Sequence, residues 1–188
     1  DKGYDVTGID FNKASIEYAV EKRKDIRYIY GDYINGYPDG KYDTVIIIYC
    51  DLGTHSDNNR DKLLKNIHDS LDDNGVFIFD VFTEELVKDK QEGKSWDYAP
   101  TGGFWNKEEY LLLSQTFHYP ENKAFAYQYN LLTSKESKHF IVWDRYYSKV
   151  EINAVLQNAG FREVSIHENI LDSNNFTSGS EMFVLSKK

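Results

Sequence analysis

Val6-Thr7-Gly8-Ile9-Asp10 opens the chain, and Ile26-Arg27-Tyr28-Ile29-Tyr30-Gly31-Asp32 repeats its pattern further on. Each is a short apolar run that ends in a carboxylate. Between them Asn12 to Lys24 reads as a helix, because Ile16, Ala19 and Val20 fall at i, i+3 and i+4. Strand, helix and strand of this size form a βαβ unit. In a parallel α/β sheet, strand ends of this kind line the ligand crevice.

The same rhythm continues outward. Tyr37-Pro38-Asp39-Gly40 is a turn, and Tyr42–Tyr49 (YDTVIIIY) is apolar and β-branched, as a central parallel strand should be. Asn59–Leu71 places Leu63, Leu64, Ile67 and Leu71 on one helical face, Asp72–Gly75 is a turn, and Val76–Phe82 is another buried strand. From there the period changes. Phe104–Tyr119, Ala124–Thr133 and Lys138–Tyr147 alternate like an antiparallel three-stranded sheet, with Phe125, Tyr127, Tyr129 and Leu131 on one face. Trp96–Trp105 reads as an irregular loop. Ser148 with Glu151 forms a capping box for a helix that runs to Asn158 and ends at Gly160. Phe161–His167 and Glu181–Ser186 are the closing strands.

Composition narrows the function. With 31 Asp and Glu against 22 Lys and Arg, the net charge is −9, which argues against a nucleic-acid surface. The single Cys50 allows no internal disulfide, which points to a cytoplasmic setting, and no apolar run is long enough to span a membrane. The five His are scattered without metal-ligand spacing, so no metal is expected.

The two strand–acid stretches, the Tyr42-Asp43-Thr44-Val45 strand and the Asn74-Gly75 turn before Val76–Phe82 together resemble the class I, Rossmann-like S-adenosylmethionine-dependent methyltransferases. The resemblance implies an α/β fold: a Rossmann-like sheet with an antiparallel final strand, formed by residues 1–82 and 148–188. Residues 83–147 would then be an antiparallel β insertion acting as a substrate cap. It implies S-adenosylmethionine as cofactor and a small molecule as methyl acceptor. In that family a first strand and a Gly-rich turn (GxGxG) precede the segment that opens here. This sequence begins at Asp1 and has no GxGxG, so it reads as a piece of a longer protein.

The resemblance also assigns candidate residues. Asp10 would hold the ribose hydroxyls, although an acid after a strand also serves as a helix N-cap. Asp32 would accept from the adenine amine, Gly31 would let the ring approach, and Phe11 or Tyr33 would stack on it; a plain Gly-Asp turn is the alternative. Tyr49 and Cys50 would flank the reacting methyl. His55 is a candidate general base, since imidazole takes a proton near neutral pH, and equally an ordinary loop histidine. On the substrate side stand Trp105, Arg145 and Tyr146. Arg145 could clamp an anionic group bidentately or pair with one of the chain's many acids. The aromatic residues of the insertion could line a pocket or form the core of a small sheet.

Two rival functions remain open in the sequence. One is a catalytically incompetent methyltransferase-like module. The other is a NAD(P)-dependent oxidoreductase, because Asp10 would hold that cofactor's ribose equally well. Without a first strand, the sheet should expose an apolar edge beside Val6–Ile9, where a second copy could form a homodimer.

Overall fold

Asn12 caps the first helix, its side-chain oxygen accepting the N–H groups of Ala14 and Ser15. The computed structural model describes residues 2–168 and 179–188. That helix, α1 (Lys13–Lys22), connects β1 (Thr7–Asp10) to β2 (Arg27–Tyr30). The two strands pair in parallel with Asp10 opposite Tyr30, so both carboxylate-bearing ends emerge at the same side. They form a two-stranded sheet of their own.

The main sheet is built on β4 (Leu71–Thr83). Its order is β5 (Gly93–Ala99), β6 (Tyr110–Tyr119), β7 (Ala124–Leu132), β8 (Ser137–Tyr147), β4, β10 (Glu181–Lys187) and β9 (Arg162–His167), with β3 (Tyr42–Ile47) also paired to β4. β3 and β8 share one edge of β4. β3 runs parallel to its first part, from Leu71 to Phe79, and β8 runs parallel to its end at Phe82 and Thr83. The final strand β10 is antiparallel to both β4 and β9, as the family resemblance implies. The predicted turn at Asp72–Gly75 is absorbed as an irregularity in β4: Tyr42 faces Leu71, but Thr44 faces Val76.

One face of β4 carries the core. Phe77, Phe79 and Val81 are buried together with Met182 and Val184 of β10. Leu63, Leu64 and Ile67 of α2 (Asp57–Ser70) and Ile152 and Leu156 of α4 (Lys149–Asn158) cover them, α3 being the single turn Leu86–Asp89 after β4. α4 has the predicted capping box between Ser148 and Glu151, and Gly160 follows it at φ 95°, a conformation that favours glycine.

Two expectations need correction. The insertion has four antiparallel strands, since Gly93–Ala99, expected to lie partly in an irregular loop, pairs along β6 from Gly93↔Thr116 to Ala99↔Tyr110. Its alternation is carried by polar residues (GKSWDYA), so the hydrophobic pattern alone does not mark it. Nor is β3 buried on both faces: Ile46, and Ile48 just beyond the strand, are exposed, and among the described residues β3 pairs only with β4. No helix among the described residues is long and apolar enough to cross a membrane.

Candidate functional site

The carboxyl ends of β1, β2, β3 and β4 carry three clusters of polar side chains. The first holds Asp10, Phe11, Gly31 and Asp32. Asp10 Oδ1 accepts the Asn12 N–H at 2.7 Å, and the Gly31 N–H donates to the Asp10 carbonyl at 3.0 Å, which ties the two strand ends together. Asp32 accepts from the Ile34 N–H at 2.9 Å and from Asn35 Nδ2 at 2.6 Å. The Asn35 and Ile34 donors hold its carboxyl below the ordinary range, so it is an ionised acceptor at neutral pH. Phe11, 66% exposed, leaves an aromatic face open next to Asp10.

The second cluster bridges the loop after β2 to the 3₁₀ turn Asp51–Thr54. The Tyr33 hydroxyl donates to Asp51 Oδ2 at 2.7 Å and lies 3.4 Å from His55 Nε2, which is 3.7 Å from the same carboxylate oxygen. Burial raises the Asp51 carboxyl, but the neighbouring His55 and the hydrogen bond from Tyr33 outweigh it and hold the group below the ordinary value. Burial, the Asp51 contact and the Asp10 and Asp32 charges all push the Tyr33 phenol up. Tyr33 therefore stays neutral, with its hydroxyl committed to Asp51. Phe11 carries no such commitment.

The third cluster surrounds Cys50. Tyr49 and Cys50 occupy the left-handed region at φ 67° and 56°. That conformation costs a non-glycine residue about 1–3 kcal/mol, and here it is held from outside. Asp80, in the apolar run of β4, accepts the Tyr49 N–H at 3.2 Å and the Cys50 N–H at 3.0 Å. The turn buries Cys50 and leaves Tyr49 89% exposed at the strand end. Burial and the neighbouring Asp80, Glu181 and Asp144 carboxylates push the Cys50 thiol up, so it is a small neutral wall rather than a thiolate. Burial also raises Asp144, against smaller opposing effects of Tyr127 and Lys90.

Glycine explains how the ribbon reaches these groups. A Cβ on Gly53 would sit 2.8 Å from the Arg145 carbonyl oxygen, so only glycine lets the 3₁₀ turn pack on the β8 backbone. The three substrate-side candidates fall in different surroundings. Arg145 pairs with Asp57 at the start of α2 and lies over the Tyr147 ring. Tyr146 is buried on the opposite face of β8, its hydroxyl 3.0 Å from His118 Nε2. Trp105 packs on Tyr129 at 4.8 Å within the ribbon's own apolar cluster.

Sequence reading left Asp51, Asp80 and Asp144 unassigned. Asp80 carries a signal, as an acid inside an otherwise apolar strand (VFIFDVF), and Asp51 stands four residues before His55. Asp144 has none, because its position depends on how β8 docks against β4. No group of three or more His, Cys, Asp or Glu that could hold a metal ion occurs among the described residues.

The donor set fits a nucleoside-bearing cofactor. Two ionisable carboxylates stand at adjacent parallel strand ends with an open aromatic face beside them, and each retains acceptor capacity beyond its local hydrogen bonds. Residues 1–75 match the family model for a methyltransferase domain. No curated protein matches the chain. Among solved structures, the fold is similar to that of an S-adenosylmethionine-dependent methyltransferase from Clostridium acetobutylicum. Identity there is 15% and the TM-score 0.71, over 98% of this chain and 75% of that one. The CcbJ methyltransferase from Streptomyces caelestis is 13% identical with a TM-score of 0.68, over 98% and 74%. An amino pentose methyltransferase from Micromonospora echinaspora, involved in calicheamicin biosynthesis, is 14% identical with a TM-score of 0.62, over 98% and 74%. Residues 1–75 are thus similar to a methyltransferase domain, and the chain as a whole has the Rossmann-like fold of these methyltransferase structures.

Proposed function

We propose that the chain transfers a methyl group from S-adenosylmethionine to a small-molecule acceptor. The observation that carries this reading is the pair of carboxylates, Asp10 and Asp32, at adjacent parallel strand ends inside the matched segment. When bound, the cofactor supplies a sulfonium-activated methyl group. The chain's own residues have the tasks of binding, placement and exclusion of water.

Asp10 would accept hydrogen bonds from vicinal hydroxyls, Asp32 would accept from an amine, and Phe11 would cover a flat base. Tyr49 and Cys50, pinned by Asp80, would shape the wall nearest the transferred group. His55 is the candidate proton acceptor. A proton on Nε2 directed to the Tyr33 oxygen leaves Nδ1 as the acceptor nitrogen. Trp105, Arg145 and Tyr146 are proposed for the acceptor side, with Asp144 beside Cys50 added to them. A small acceptor agrees with the acidic chain, and one structural neighbour is an amino pentose methyltransferase.

Calorimetric titration with S-adenosylhomocysteine, with NADH as control, tests this. Binding of S-adenosylhomocysteine that falls at least about tenfold in Asp10→Ala is expected, equivalent to about 1.4 kcal/mol. Binding of neither compound would favour an incompetent module. Binding of NADH alone would favour an oxidoreductase.

A further inference from the structure

The face of β7 and β8 that bears Phe125 also carries an acid, Asp144, which no ion pair neutralises among the described residues. Asp144 stands opposite Phe125 and diagonal to Tyr127, so the three side chains share that face. Burial raises its carboxyl, and Tyr127 and Lys90 offset this only in part. The Tyr127 hydroxyl is buried near it without a hydrogen-bond partner. Lys90 lies over the Tyr127 ring at 5.7 Å, so this aromatic surface already receives one ammonium group. Toward the exposed Phe140, Tyr129 faces Phe140 across the strands, and Trp105 packs on both, at 4.8 and 5.9 Å. Asp144 and Phe140 lie about 14 Å apart along β8.

We propose that this strip receives the methyl acceptor through an amino group, with Asp144 as the carboxylate that binds its nitrogen and Tyr127 as a second hydrogen-bonding group. The proposal rests on the methyl-transfer reading and names the substrate class of that site. Cys50 fixes the location. The Asp144, Asp80 and Glu181 carboxylates all act on its thiol, so a nitrogen held by Asp144 lies near the strand end where Tyr49 and Cys50 form the wall. Three carboxylates and one ammonium, Lys90, make these surroundings negative. They repel an anionic acceptor and favour a cationic one. The body of the acceptor would extend over Tyr129 and Phe140 toward Trp105.

The chemistry selects nitrogen for the same reason. The amine enters as an ammonium ion and gives one proton to a base, His55 or water. Its lone pair then forms the nitrogen–carbon bond, while the carbon–sulfur bond breaks and leaves its electron pair on sulfur. The positive charge passes from sulfur to nitrogen. A carboxylate beside that nitrogen therefore stabilises the entering ammonium, the transition state and the methylated product. A hydroxyl acceptor builds negative charge on oxygen as it sheds its proton, which the same carboxylates oppose.

The test supplies the chain with S-adenosylmethionine and with benzylamine, cyclohexylamine and glucosamine, each beside its hydroxyl counterpart (benzyl alcohol, cyclohexanol, glucose). Mass spectrometry reads the methylated products. Amines are expected to be methylated and their hydroxyl counterparts to remain unmodified. Asp144→Asn keeps the side chain's size and removes its charge, so KM for the methylated amine should rise about tenfold or more. Asp144→Glu should keep the preference for amines. In calorimetry, the same amine should bind the S-adenosylhomocysteine complex about tenfold more weakly in Asp144→Asn, with S-adenosylhomocysteine binding itself unchanged. Methylation of the hydroxyl compounds alone, or of none of the six, in a chain that binds S-adenosylhomocysteine would overturn the proposal and leave the cofactor assignment standing. Unchanged amine kinetics in Asp144→Asn would overturn it too. Weaker S-adenosylhomocysteine binding in that variant would place Asp144 on the cofactor and overturn it equally. A chain that binds no S-adenosylhomocysteine would overturn the methyl-transfer reading itself, and this proposal with it.

Discussion

The β1–α1–β2 unit and the β4–β10 core arise from the same kind of sequence, apolar runs alternating with amphipathic helices, yet they are held in different ways. In the core, Phe77, Phe79 and Val81 have α2 and α4 above them and are fully buried. In the first unit, α1 buries no residue, and β1 and β2 have none buried either. That unit is attached through the loop after β2. Ile34 inserts into the main core, Asn66 of α2 donates to the Ile34 carbonyl at 2.9 Å, and Lys62 reaches Asn35 Oδ1. The lesson is that Asp10 and Asp32, which carry the proposed cofactor contacts, stand on the part of the molecule with the least buried surface. Stability and binding are therefore separable by mutation.

The largest test of this contrast is a pair of truncations. Phe77→Ala should cost about 3–5 kcal/mol in urea unfolding. Ile9→Ala on half-buried β1 should cost about 1 kcal/mol. Equal losses would break the comparison and mean that the two units unfold as one. Gly53→Ala sharpens it at the junction with the ribbon. The added methyl meets the Arg145 backbone, which cannot swing aside as a side chain can, so about 1–3 kcal/mol of destabilisation is expected by thermal denaturation.

A smaller effect is expected at the tether. Asn66→Ala removes the hydrogen bond to the Ile34 carbonyl and should cost about 1 kcal/mol. Native-state hydrogen exchange should show that loss as faster opening of β1, α1 and β2, with β4 and β10 amides unchanged. Uniform acceleration across all strands would argue for a single cooperative unit.

The smallest test is electrostatic and concerns α4. Burial raises the Glu151 carboxyl, but Lys123 and the Ser148 donors overcome it and hold it at about 2. A carboxyl depressed in the folded state adds stability above its unfolded value, near 4.5, and that stability disappears as pH falls through about 2. Lys123→Met should therefore be less stable than the parent at neutral pH, and the gap should close between about pH 4.5 and 2. A gap that stays constant with pH would show that Lys123 acts by packing alone.

Much of the molecule could be read before the structure was known. The helix starting at Ser148 depends on a cap and a box that lie within four residues, so local chemistry fixes it. The Asp10 and Asp32 strand ends were legible because a short apolar run ending in an acid is a local signal, whereas the antiparallel end of the sheet followed from the family resemblance. β5 was less visible, because an edge strand with polar alternation differs little from a loop until β6 is beside it.

By itself, then, the sequence determined the order of the strands and helices other than β5, and the two carboxylates at the ends of β1 and β2. Tertiary structure alone decided that β8 docks beside the end of β4, in the space where β3 stops. That docking sets Asp144 near Cys50 and sends Arg145 to Asp57. The physical reason is range. Caps, turns and alternation act within a few residues, whereas the pairing of Phe82 with Tyr146 closes a long loop whose outcome depends on packing across the whole sheet.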